Sequence, residues 1–309
     1  MSANLPPEGR EQWEHGLTDS AELISIVIPM YNEREAIGPE LELIENTMQA
    51  HGRPHEILVV DDGSTDGSAE IVQQWPNVRM IQHPFNRGVG AARTTGLKNA
   101  RGDIVVMTDA DGTYPNQDIP RLLATLEENG CDMVIGARQR ETGTWRWLRS
   151  PAKAFIRLLA VYLTRQPIPD LNSGLRAFRR DTALRYLRYL PTTHSWVSTI
   201  TLAMLTNDHL VQWIPIDYYP RLGRSTFHPI TDTYNYLTLV VRTVMYFNPL
   251  RVFLPASLLL FVLGILKTAY DNFVLSHIRE SDVILLVTAF LIGMLGLMAD
   301  LIVTQHREG

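Results

Sequence analysis

Asp103-Ile104-Val105-Val106-Met107-Thr108-Asp109-Ala110-Asp111 is a short apolar run that ends on two carboxylates. Asp103 to Met107 has the length and β-branched content of a buried strand, and Gly112 and Pro115 beyond the acids favour a turn. In an extended segment, residues i and i+2 point to the same side, so Asp109 and Asp111 face one way. Two carboxylates so placed are hard oxygen ligands for Mg²⁺ or Mn²⁺. Asp-x-Asp also arises as ordinary solvated loop chemistry. Its place at a strand end is what makes it a candidate metal site.

The same alternation repeats on both sides of that run. Leu23 to Ile28 reads as a strand ended by Pro29, Glu56 to Val60 as a strand ending at Asp61-Asp62-Gly63, and Val78 to Ile81 and Asp132 to Ile135 as two more. Between them, helical spacing covers Arg34 to Ala50, with Ile37, Leu41, Ile44 and Met48 on one face. Shorter helices are expected over Ser68 to Trp75, Gly88 to Ala100 and Gln117 to Asn129. Strands alternating with helices imply an α/β fold with a mostly parallel sheet covered on both faces. Ligands in such folds bind outside the carboxyl ends of the strands. Tyr31-Asn32-Glu33, Asp61-Asp62 and Asp109-Ala110-Asp111 all fall there.

Over 309 residues the chain is 45% hydrophobic and 20% charged, with a formal net charge of -5. The slight acidity gives no electrostatic case for nucleic acid, which needs a basic stripe. One cysteine, Cys131, allows no internal disulfide and fits a reducing compartment. The average hides a split. Residues 1–22 are polar, contain Pro6-Pro7 and read as a loose tail without a signal peptide. Residues 23–230 form the candidate catalytic domain. Residues 251–305 carry two apolar segments, Val252 to Tyr270 and Val283 to Val303. A membrane span needs roughly 20 residues, so these form a transmembrane hairpin, with Lys267 close enough to one end to snorkel. A soluble hairpin of that length would normally show a polar face. Arg242, Arg251 and Arg307 flank one side, which puts the large domain in the cytoplasm and the Asp271 to Asp282 connector outside. The expected location is the inner membrane, multi-pass. Residues 231–250 mix aromatics with Arg242, as an interfacial amphipathic helix or as plain core packing.

Three further clusters bear on chemistry. Asp61 to Ser68 holds three carboxylates and three hydroxyls. One of them serves as a helix cap, and the surplus suggests hydrogen bonding to a nucleobase or ribose. Asn86-Arg87-Gly88-Val89-Gly90-Ala91-Ala92-Arg93 opens a helix, where backbone N–H groups favour phosphate; close helix–sheet packing by small residues explains it equally. Arg138, Arg140, Arg146 and Arg149, then Arg176, Arg179, Arg180, Arg221 and Arg224, suit bidentate phosphate recognition or contact with anionic lipid heads.

Taken together, Ile26 to Glu33, the Asp61 to Asp66 run, Asn86 to Arg93 and Asp109 to Asp111 resemble glycosyltransferase family 2, which has the GT-A fold. Gly136-Ala137-Arg138, Asn172-Ser173-Gly174-Leu175-Arg176, Arg221 to Ser225 and the hairpin extend the likeness to the polyprenyl-phosphate glycosyltransferases. The resemblance implies a nucleotide sugar, UDP- or GDP-linked, as donor and a polyprenyl phosphate as acceptor. It assigns donor contacts to Pro29, Tyr31, Asn32, Glu33, Asp61, Asp62, Arg87, Gly88, Asp109 and Ala110. Asp109 and Asp111 would hold the metal. Arg138, Arg146, Ser150, Ser173, Arg176, Arg221 and Ser225 would handle phosphate, with Asp111, Arg138 and Arg146 catalytic. The dolichyl-phosphate mannose synthases read Asp-Ala-Asp-Leu-Gln, where the glutamine also binds metal. Here Gly112-Thr113 follows, so the sugar does not carry over.

Transfer to a hydroxyl wants a general base. His194 to Thr199, where relatives place an acid, has no carboxylate, and His194 and His228 are the nearby titratable candidates. A phosphate acceptor is already ionised, so the missing base favours a lipid phosphate and an inverting displacement. The alternatives are a polysaccharide synthase, which would carry more membrane helices and a Gln-x-x-Arg-Trp motif, and a non-catalytic, membrane-tethered nucleotide-binding protein. A homo-oligomer is compatible with the hairpin.

Overall fold

The computed structural model describes residues 22–139, 167–193, 195–220, 249–275 and 277–308. Its first half is built as the alternation requires: β1 (Ile24–Met30), α1 (Ile37–His51), β2 (His55–Asp61), α2 (Ser68–Val72), β3 (Val78–Gln82), α3 (Val89–Asn99), β4 (Ile104–Met107), α4 (Ile119–Glu128) and β5 (Met133–Arg138). Then come β6 (Arg176–Arg179), α5 (Arg180–Leu184), α6 (Trp196–Thr206) and β7 (Val211–Ile216). The strand order among the described residues is β3-β2-β1-β4-β6-β5-β7. All pairs are parallel except those of β6, which runs antiparallel between β4 and β5.

Successive strand residues point to opposite faces, and the core divides accordingly. Val27, Leu58, Val60, Val105 and Met107 pack under α3 and α6. Ile26, Ile28, Ile57, Val59, Ile104 and Val106 pack under α1 and α4 with Leu41, Ile44, Leu122 and Leu126. Gly96 lets α3 lie against β1, since a methyl group there would collide with Val27. Helix α1 ends where Gly52, at φ 78°, donates to the Met48 carbonyl at 3.0 Å.

Pro29 does not end β1 but lies inside it. Val27 accepts from Thr108 on the β4 side and Met30 accepts from Asp62 on the β2 side. Alternation puts Pro29 on the β4 side, past the last pair with that strand, Val27 with Met107. Its missing N–H therefore costs no ladder bond. Helix α1 begins later than expected because residues 32–34 are drawn into a loop contact described below.

The C-terminal helices are α7 (Leu250–Leu275) and α8 (Glu280–Glu308). Both are long and apolar enough to cross a membrane. They run further than the apolar segments alone, so the connector shrinks to the few residues between Leu275 and Glu280. Gly264, Gly293 and Gly296 let the two backbones approach, as small residues do in membrane helix pairs, and Ser257 Oγ donates to the Ala289 carbonyl at 2.8 Å. Lys267 is more than a snorkelling cation. Its Nζ donates to Asp271 at 2.8 Å, to Ser281 at 2.9 Å and to Asp282. The expected interfacial helix lies outside the described residues up to Asn248, as does the N-terminal tail up to Ala21.

Candidate active site

The parallel strands β1, β2, β4 and β5 deliver Tyr31, Asp61-Asp62, Asp109-Asp111 and Arg138 to one edge of the sheet. Much of the acid-rich run beside them is spent on loop architecture. Asn32 N–H donates to Ser64 Oγ (2.9 Å), Glu33 N–H to Ser68 Oγ (2.9 Å), Arg34 N–H to Asp66 (3.1 Å), and Thr65 N–H to Asn32 Oδ1 (2.8 Å). These bonds zip the segment after β1 to the loop after β2, with Asn32 at φ 55°. Burial pushes the Asp66 carboxyl up, but its hydrogen bonds to Ser68 and Arg34 outweigh this and hold it below the ordinary value.

Asp61 and Asp62 are both almost fully buried. Asp61 accepts from Ser64 N–H at 3.0 Å and Gln82 Nε2 at 3.1 Å. Asp62 accepts from the N–H groups of Arg87 and Gly88, the latter at 2.8 Å, and bonds His83 Nδ1 at 2.6 Å. These bonds fix both carboxylates in place at the strand end. In the Asn86–Arg93 loop, backbone N–H groups also find partners within the chain. Gly90 N–H and Ala91 N–H donate to the Thr192 carbonyl at 2.9 and 3.3 Å. The end of α3 is thus capped from within the chain, and its glycines serve close packing. Among the expected donor contacts, Pro29 and Ala110 are buried, Glu33 is half-buried, and Tyr31, Asn32 and Arg87 are exposed.

Around Asp-x-Asp, each acid is held. Arg93, on α3 and buried, donates Nη2 to Asp109 Oδ1 at 2.6 Å. Gly174 lies against the other oxygen: a methyl group there would stand 2.6 Å from Asp109 Oδ2. Gly174 N–H donates to Tyr114 OH at 2.7 Å. Burial and the Asp109 charge both push that phenol upward. Asp111 accepts from Thr113 twice, from N–H at 3.2 Å and from Oγ1 at 2.6 Å. Thr113 is itself buried, so it orients Asp111. Below the turn, Thr108 Oγ1 donates to Asn116 Oδ1 at 2.7 Å, and Asn116 Nδ2 donates to the buried Glu40. Burial drives the Glu40 carboxyl up to about 7; the Asn116 bond opposes this and the Asp111 charge adds to it.

Among the described residues, no group of three or more His, Cys, Asp or Glu side chains converges on a cation. Asp109 and Asp111 nonetheless fit Mg²⁺ or Mn²⁺. Mg²⁺ is commonly bound through one or two carboxylates, with phosphate oxygens and water completing the shell.

At the end of β5, Arg138 is bound by a carboxylate that sequence reasoning missed. Asp170 accepts from Arg138 Nε at 2.6 Å and Nη2 at 2.9 Å. Burial pushes Asp170 up, but the hydrogen bond and charge of Arg138 prevail and hold it below the ordinary carboxylate range. Trp213 Nε1 donates to the Asp170 carbonyl at 2.9 Å, and the Arg138 guanidinium lies 5.2 Å from the Tyr218 ring centroid. The available signal was an acid two residues before Asn172-Ser173-Gly174.

Arg176 corrects an expectation. It is 0% exposed, and it donates to Val197 O at 2.9 Å, Thr201 Oγ1 at 3.0 Å and Ser173 O. Burial and the nearby Arg93 lower its guanidinium to about 9. In this structure it is enclosed and braces the backbone at Ser173 and Val197 rather than lining an open surface. Ser173 is equally buried. Trp196 to Thr199 is buried. Arg140, Arg146, Arg149, Ser150, His194, Arg221, Arg224, Ser225 and His228 lie outside the described residues.

A parallel sheet with one reversed strand and an Asp-x-Asp turn at its carboxyl edge defines the GT-A class of nucleotide-sugar folds. Residues 25–187 match Glycosyl transferase family 2, and the chain belongs to that family. Residues 248–304 match the GtrB C-terminal hairpin. The chain is 36% identical over 162 residues to undecaprenyl-phosphate 4-deoxy-4-formamido-L-arabinose transferase of Proteus mirabilis (strain HI4320). That match covers 51% of this chain and 49% of the relative, so the chain spans about half the length of the curated relative it matches. Two solved structures share the fold. Mannosyl-3-phosphoglycerate synthase from Rubrobacter xylanophilus aligns with TM-score 0.56 at 22% identity, covering 72% of each chain. Glucosyl-3-phosphoglycerate synthase from Mycobacterium tuberculosis, in complex with Mn²⁺, UDP and phosphoglyceric acid, aligns with TM-score 0.57 at 19% identity, covering 72% of this chain and 78% of that one.

Proposed function

We propose that this chain transfers a hexose, with inversion, from a nucleoside-diphosphate sugar to a polyprenyl phosphate at the cytoplasmic face of the inner membrane. One observation carries this reading: a strand-end Asp109/Asp111 site and a hairpin of two apolar helices occur in one chain. The name of the Proteus relative supports a polyprenyl-phosphate acceptor.

In the proposed step an acceptor phosphate oxygen attacks the anomeric carbon, and the bond to the diphosphate breaks with its electron pair leaving on the nucleotide. The attacking oxygen is already ionised, so no general base is required. Asp170 is engaged by Arg138, which suits it to aiming that arginine at phosphate rather than to taking a proton. A divalent cation at Asp109 and Asp111 would supply counter-charge to the departing diphosphate. Arg93 and Thr113 hold those two carboxylates in place for it.

Incubation of the full chain with labelled UDP- and GDP-sugars and undecaprenyl or dolichyl phosphate, with and without EDTA, tests the reading. A labelled lipid that vanishes with EDTA is expected. Nucleotide binding with no lipid product from any donor would instead support the non-catalytic tether.

A further inference from the structure

Asp109 is engaged before any ligand arrives. Arg93 holds its Oδ1 at 2.6 Å, with side-chain exposures of 5% for the arginine and 26% for the aspartate. Gly174 packs beside Oδ2, where any larger residue would intrude. Behind the pair, Arg176 is a second buried guanidinium whose described hydrogen-bond partners are all neutral. The Nε atoms of Arg93 and Arg176 are both buried without a hydrogen-bond partner. Asp109 is the carboxylate that Arg93 bonds, and the like charge of Arg176 opposes any retreat from it.

We propose that Arg93 is a positioning residue that limits Asp109 to one ligating oxygen and thereby makes the centre selective for a small octahedral cation over Ca²⁺. This rests on the metal reading given under Proposed function. Ca²⁺ takes six to eight oxygens and accepts carboxylates bidentately, whereas Mg²⁺ demands near-ideal octahedral geometry with few carboxylates. Chelation through both oxygens of Asp109 would displace a charge-assisted bond. It would also leave Arg93 buried and uncompensated beside Arg176, a costly arrangement.

The test is a titration of the full detergent-solubilised chain with Mn²⁺, followed by electron paramagnetic resonance, with Ca²⁺ as competitor and UDP or GDP present. Arg93→Met keeps the volume and removes the bond. It is expected to narrow the Mn²⁺/Ca²⁺ preference by about tenfold, chiefly by tightening Ca²⁺. Arg93→Gln leaves a polar group in the buried position and narrows it less; it decides the matter if the methionine variant does not fold. An unchanged ratio in a variant that melts like the parent overturns the proposal. So does a parallel loss of both affinities, which a merely structural role would produce. If the unmodified chain binds no Mn²⁺ with either nucleotide, the metal reading falls and this one with it. Normal binding with an unchanged ratio removes only the role of Arg93.

Discussion

Arg138 and Asp170 meet through two side-chain hydrogen bonds, at 2.6 and 2.9 Å, and a third at 3.3 Å from the Arg138 backbone N–H. The pair ties the end of β5 to the loop that precedes β6. Asp170→Asn would leave a largely buried guanidinium without its counter-charge. The expected loss is about 3 kcal/mol of stability, with transfer falling at least as steeply. The sign with pH follows from the depressed carboxyl. Its contribution is complete above the ordinary carboxylate value and is lost as pH falls through the lower folded value. Thermal melting should therefore separate the variant from the parent at pH 5 to 8, and the gap should close in strong acid.

Asp111→Asn is expected to abolish metal-dependent transfer while leaving the fold intact. Thr113 can still donate to the remaining carbonyl oxygen, so the turn persists. Circular dichroism and a labelled-lipid assay on the same preparation check both halves. Unchanged turnover would remove Asp111 from the metal site.

Glu40→Gln is expected to stabilise the protein in a pH-dependent way. The carboxyl is raised from 4.5 to about 7, so the folded chain holds a proton that the unfolded chain releases. Stability falls as pH rises between those values and then levels off. Glutamine keeps the acceptor for Asn116 and has nothing to ionise. The variant should match the parent near pH 4.5 and exceed it by up to about 3 kcal/mol at pH 8. Denaturant midpoints across that range give the answer.

Gly90→Ala tests the packing account of the α3 loop. A methyl group there would run into the backbone of Pro191, Thr192 and Thr193, an overpacking that costs about 1–3 kcal/mol. A lowered melting temperature is expected, with nucleotide affinity unchanged in the protein that remains folded. A selective loss of nucleotide affinity at constant stability would restore the phosphate reading.

The parallel half of the sheet was legible because its signals are local. Runs such as Ile57 to Val60 are apolar throughout, and their acids fall at strand ends. The reversed strand β6 was not. Arg176-Ala177-Phe178-Arg179 carries two arginines, and nothing nearby shows that the first is buried, against the usual preference of arginine for water. β7 contains Pro215 and Gln212, which reads as loop, yet among the described residues it is an edge strand where proline is tolerated. In the site, residue types were legible and partners were not. The spacing of Asp61, Asp62 and Asp66 is the same whether they meet a nucleoside or the chain's own N–H groups.

The reversed strand also sets an order of events during synthesis. Strands β1 to β4 can pair once residues 24–107 have emerged, because all of their partners in that half of the sheet lie within this stretch. The flank of β4 stays open until residues 176–179 arrive to fill it. Gly174 and Asp170 come with that insertion, so Asp109 is walled in and Arg138 is paired only at that late stage. A truncated or stalled chain would expose an unpaired strand edge together with an unfinished active site. Competence for catalysis and protection from aggregation therefore mature in a single docking event.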